Sequence, residues 1–219
     1  MYQLIGLPRL FTAYAGVAAL VAVATFFLWP NATPTHLWGW REYLWAPVGV
    51  GLAVASALVA VLGQTWVFPR ICRLPLVREI LPDLDGRWEG ELRSNWPRTQ
   101  QGAAAGQADL LPRQATMTIK ARLLSVSVVL DTEDGYSTSK AVLVGIARDE
   151  ASDRCRLAYV YENTTPNQEQ TDESSHLGAA MLNLDERSGQ KVLQGRYWTN
   201  RNWSRGLNTA GIACFRKIA

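Results

Sequence analysis

Residues 86–94 read GRWEGELRS. Gly86, Trp88, Gly90 and Leu92 alternate with Arg87, Glu89, Glu91 and Arg93, so a strand here turns a tryptophan to one side and only charge to the other. The same period of two runs downstream through residues 115–122, 124–131, 136–148, 154–162, 176–185, 191–200 and 207–218. Turn chemistry separates these runs at Glu133-Asp134-Gly135, at Arg187-Ser188-Gly189 and between Asn200 and Gly206. Two longer polar stretches, 95–113 and 163–175, read as loops. Eight antiparallel strands, each apolar on one face, predict a small all-β domain, either an up-and-down barrel or a two-sheet sandwich.

The inward faces are mixed. Leu157, Tyr159 and Tyr161 share one face of the fifth strand, and Leu193, Gly195, Tyr197 and Thr199 share one of the seventh. Tyrosine rings with hydroxyls turned to a cavity point to a flat polar guest more than to a fatty acid.

Upstream of residue 83 the chain changes character. Residues 10–29 (LFTAYAGVAALVAVATFFLW) and 43–68 (YLWAPVGVGLAVASALVAVLGQTWVF) carry no charge. At ~1.5 Å per residue a twenty-residue helix covers the hydrocarbon core of a bilayer, about 30 Å. Gly16, Ala19, Gly49, Gly51, Ala53 and Ala57 allow close helix packing in lipid. Five of the nine tryptophans, Trp29, Trp38, Trp40, Trp45 and Trp66, flank the two runs as an aromatic belt would. Arg9 precedes the first run, and Arg70, Arg73 and Arg78 follow the second. The positive-inside rule then puts both termini in the cytoplasm, with a short external loop at residues 30–42. The expected organisation is a two-helix transmembrane hairpin at 1–69, a basic linker at 70–82 broken by Pro69, Pro75 and Pro82, and a cytoplasmic β domain at 83–219.

Residues 1–82 hold five arginines and two glutamates, which leaves 17 basic and 17 acidic groups to residues 83–219. A neutral β domain argues against DNA or RNA polymers as partners, since these need a basic face to displace counterions. Two histidines and three widely spaced cysteines give neither a metal signature nor a nucleophile–base pair, so no cofactor and no catalysis are expected. His176 reads as a strand-end hydrogen bonder.

The order of parts resembles the two-transmembrane β-barrel effectors of CBASS, the cyclic-oligonucleotide-based anti-phage systems. The local patterns that look similar are Gly86-Arg-Trp88-Glu-Gly90 with Ser94-Asn-Trp96, Tyr136-Ser137-Thr-Ser139, Tyr159-Val-Tyr161-Glu-Asn163, His176-Leu-Gly178 and Gly195-Arg-Tyr197-Trp-Thr199 with Arg205-Gly206. The resemblance implies a membrane-anchored, lipocalin-like eight-stranded antiparallel β-barrel in the bacterial inner membrane. It implies a barrel that binds a cyclic dinucleotide second messenger from a partner nucleotidyltransferase, and a chain that then self-assembles and disrupts the lipid bilayer. On that reading Tyr159, Tyr161 and Tyr197 stack on bases or offer hydroxyls. Ser137, Ser139, Asn163 and Thr199 hydrogen-bond, and Arg201 or Arg205 meets phosphate. The rival expectation is a membrane-tethered, lipocalin-like binding module for an apolar small molecule, which predicts an apolar cavity.

Overall fold

The computed structural model describes residues 1–28, 36–99, 109–149, 152–166, 168, 173–187 and 189–218. The chain divides into two compact units, Met1–Leu81 with Arg122–Ser125, and Pro82–Ala121 with Val126–Ala219.

In the first unit, a helix spans Leu7–Leu28 with Pro8 in its first turn, where a missing N–H leaves no helical bond unmade. The second helix covers Leu37–Leu58, so residues 37–42, expected in the connecting loop, form its opening turns. Pro47 consequently sits inside the helix. A membrane-type helix accommodates an internal proline because local adjustments re-satisfy the freed carbonyl. The helix relaxes into a π-helical turn at Val59–Gly63 and breaks at Thr65 and Trp66, short of the expected end at Phe68. The connection at 29–35 lies outside the described residues.

Leu7–Leu28 and Trp45–Gly63 are long and apolar enough to cross a membrane. Their large side chains, including Phe11, Leu20, Phe27 and Val61, are exposed, the reverse of a helix buried in a soluble core. What the helices bury is small: Ala18 and Ala55 are covered, and a Cβ on Gly51 would run into the Ala18 carbonyl oxygen. Glycine at 51 therefore sets how closely the helices cross, and Tyr14 and Ser56 add a hydroxyl–hydroxyl hydrogen bond of 2.9 Å. Gly16 and Gly49 meet nothing within 4 Å. The proline-rich connector folds as two short helices, Val67–Cys72 and Pro75–Arg78.

The second unit is a closed barrel of eight antiparallel strands in sequence order. They are β1 (Gly86–Ser94), β2 (Leu111–Ala121), β3 (Val126–Thr132), β4 (Thr138–Arg148), β5 (Cys155–Thr164), β6 (Ser175–Arg187), β7 (Gln190–Thr199) and β8 (Ala210–Lys217). Closure comes from β1 pairing with β8, which chooses the barrel over the sandwich and leaves no open edge. Alternation places Cys155, Leu157, Tyr159, Tyr161 and Asn163 of β5 inside, and Trp88 of β1 faces the same interior. A bulge between Ala141 and Leu143 turns both Val142 and Leu143 outward.

One end of the barrel is packed solid. Trp88, Met117, Ile119, Leu157, Leu182, Leu193 and Phe215 are buried there, and Trp88 Nε1 donates to the Leu84 carbonyl at 3.0 Å. Asp83 accepts from Lys217 at 2.8 Å and from Lys191 at 3.2 Å. Burial alone would raise the Asp83 carboxyl, but hydrogen bonds and charge from the two lysines outweigh it and hold it below its ordinary 3.8. A carboxyl depressed in the folded state stabilises the fold fully above its unfolded pKa, and that contribution disappears as pH falls through the folded value. Thermal melts of the full chain are therefore expected to lose a stabilising component below about pH 4, and Asp83→Asn to lack it. Superimposable pH profiles for the two proteins would contradict this.

Candidate functional site

The other end of the barrel is polar and open. Side chains from the ends of β1, β3, β5 and β7, from the starts of β2, β4 and β6, and from Thr209 just ahead of β8 converge on one cavity. Seven of the nine side chains selected from sequence line it: Ser137, Ser139, Tyr161, Asn163, Tyr197, Thr199 and Arg201. Tyr159 lies one inward position deeper on β5, buried with its ring centroid 5.8 Å from that of Tyr161, and is not on the cavity wall. Arg205 lies in the short helical turn Trp203–Arg205, exposed and away from the cavity. That turn is bracketed by left-handed Asn202 and Gly206, residue types that take this conformation at low cost.

The wall is held by side-chain hydrogen bonds. Asn163 Nδ2 donates to Ser139 Oγ at 2.9 Å across the β4–β5 pair, and Thr165 Oγ1 donates to Asn163 Oδ1 at 3.3 Å. The hydroxyls of Thr199 and Thr209 are 2.9 Å apart. Gly178 faces Tyr161 in register, and a Cβ there would occupy the space of the tyrosine ring. Burial pushes the phenols of Tyr159, Tyr161 and Tyr197 up, so each stays protonated at neutral pH and able to donate.

Sequence reasoning passed over several cavity residues. Arg113 stood at the edge of an expected loop, but β2 begins at Leu111, and Arg113 continues the inward row of Ala115, Met117 and Ile119. Extending the period-two pattern by one step would have found it. Trp96 follows β1 in the short helix Trp96–Thr99, and Arg201 stacks on it with its guanidinium carbon 4.3 Å from the ring centroid. Tyr136, read as the start of a strand, instead sits in the turn before β4 with Arg113 4.3 Å over its ring. His176 also borders the cavity.

This arrangement offers positive charge, flat rings and neutral hydroxyl and amide groups together, in a pocket closed below by an apolar floor. It is suited to hold an aromatic anion by contact, without covalent chemistry. Comparison with known proteins agrees with the geometry. The family model described as Cap15, cyclic dinucleotide receptor domain, matches residues 80–215, the span of the barrel. The chain is 33% identical over 139 residues to the CD-NTase-associated protein 15 of Escherichia albertii, a match covering 63% of each chain, which is less than two thirds of that relative's length. The receptor barrel, preceded by two apolar helices, makes this chain a member of the Cap15 cyclic dinucleotide receptor family.

Proposed function

We propose that the polar mouth of the barrel binds one cyclic dinucleotide made by a partner nucleotidyltransferase, and that binding drives copies of the chain to assemble in the bacterial inner membrane and disrupt it. The observation that carries the reading is the chemistry of the cavity: two arginines, the rings of Trp96, Tyr136, Tyr161 and Tyr197, and a row of hydroxyls at one end only. Tyr161 and Tyr197 offer base-stacking faces with Tyr159 packed behind them, and Ser137, Ser139, Asn163 and Thr199 serve base and ribose edges. Arg201 meets phosphate in preference to exposed Arg205. A cavity so rich in hydroxyl and guanidinium groups speaks against an apolar guest.

The helical hairpin supplies the membrane half of this reading. Gly49, Ala53 and Ala57 stay exposed after Gly51 has been used within the hairpin, which supports packing between copies. Arg9, Arg70, Arg73 and Arg78 support cytoplasmic termini and a cytoplasmic barrel.

The test uses the full chain, in detergent for thermal melts and in dye-loaded vesicles for leakage. Against cyclic di-AMP, cyclic di-GMP, cyclic GMP-AMP and cyclic di-UMP, one cyclic dinucleotide at a hundred times its dissociation constant is expected to stabilise the barrel by about 2.7 kcal/mol and to trigger release. Linear dinucleotides are expected to do neither. No shift with any of them would retire the receptor reading, and a shift without leakage would retire the membrane half alone.

A further inference from the structure

Arg113 and Arg201 stand on different sides of the mouth, one near the start of β2 and the other just past the end of β7. Each lies 4.3 Å over its own aromatic ring, Tyr136 for Arg113 and Trp96 for Arg201. All four side chains line the same cavity. A cyclic dinucleotide has matching halves, each with one phosphodiester charge and one flat base. The mouth therefore holds two guanidinium groups, each seated on a ring, one for each phosphodiester.

Arg113 also has a carboxylate beside it. Arg113 Nη1 donates to Asp134 Oδ2 at 2.6 Å, and it borders both the cavity and an outer groove that it shares with Glu133 and Asp134. The pair is open to solvent, with side chains 36% and 53% exposed, so little is lost when Arg113 leaves it. Asp134 has other holds: the Thr132 hydroxyl contributes most to keeping its carboxyl below the usual range, and the Tyr136 N–H donates to it at 3.0 Å. The turn thus keeps its own bonds when the arginine swings away. It also joins the barrel's shortest ladder, in which β3 and β4 pair at only three positions.

We propose that Arg113 and Arg201 are twin phosphate clamps, each seated on its own ring, and that Asp134 holds Arg113 in reserve until a ligand phosphate replaces the carboxylate. This rests on the receptor reading above and deepens it, because it sets a reason for preferring a ligand with two phosphodiesters. The exchange moves a guanidinium from one anion to another and needs no other chemistry.

The test is calorimetric titration of the full chain in detergent with the same four cyclic dinucleotides. Arg113→Ala and Arg201→Ala are each expected to weaken binding about tenfold or more, the scale of a lost hydrogen bond to a charged group. Asp134→Asn is expected to tighten binding by about twofold to fivefold, since the competing surface ion pair is gone. In the Arg113→Ala background, Asp134→Asn should have no effect. If Asp134→Asn leaves affinity unchanged or weaker, or if Arg113→Ala binds as tightly as the parent, the twin-clamp assignment is overturned while the receptor reading stands. If the parent chain binds none of the four, both fall together.

Discussion

Valine in place of Gly178 is expected to cost about a hundredfold or more in cyclic dinucleotide affinity while the barrel still folds. Gly178 of β6 lies opposite Tyr161 of β5, and the tyrosine ring occupies the space a Cβ would need. A valine there forces the ring off its seat. The packed interior gives it no room below, so it swings toward the open cavity where the ligand belongs. Overpacking of this kind costs roughly 1–3 kcal/mol in a rigid core, and the open side of the mouth places the cost at the lower end. Circular dichroism melts alongside a titration separate the two effects. Parent-like binding by Gly178→Val would mean that the Tyr161 ring does not bound the binding site.

Trp88→Ala is the corresponding expectation for stability, at about 3–5 kcal/mol. Trp88 is completely buried, with Met117 of β2 and Lys217 of β8 as its register neighbours. It also ties the segment ahead of β1 to the barrel through its bond to the Leu84 carbonyl. For a domain of this size such a loss lowers the melting temperature by roughly 10 °C or more. Trp88→Phe keeps much of the packing and is expected to lose about 1–3 kcal/mol, mainly because the Leu84 carbonyl loses its donor. An alanine variant that melts within a degree or two of the parent would show that the packed end is not anchored by this residue.

How much of this was legible in the sequence depends on what period two can carry. It gives the face of a residue, and so it placed Trp88, Leu157, Tyr161 and Tyr197 inside the barrel. It does not give depth along the axis, which is why Tyr159 and Tyr161 read alike although only Tyr161 reaches the cavity. Arg113 escaped because it closes a Gln-, Gly- and Ala-rich stretch that reads as loop, although Pro112 just before it is not what a strand favours. The ladder explains the exception: Leu111–Gln114 pair with β1, while pairing with β3 starts only at Ala115. Pro112 thus lacks a partner strand on that second side and can be tolerated. Arg205, named beside Arg201 as a phosphate partner on the strength of the resemblance, stands apart from it: the left-handed Asn202 begins a turn that carries Arg205 into solvent. The helix start at Leu37 was hidden by Arg41 and Glu42, charges that mark the edge of a hydrophobic run without ending the helix.

The solid packing around Trp88 and Phe215 also fixes what this domain is unable to be. A barrel of eight strands whose lumen is plugged by side chains offers no conduit along its axis, unlike the wide barrels that let solutes through. Ions escaping through a bilayer that holds this protein would have to travel around or between the helical hairpins. On the proposed reading, in which assembly of the hairpins disrupts the bilayer, permeation and recognition belong to separate parts of the chain, and variants that widen the hairpin assembly should alter conductance without changing which nucleotide is recognised.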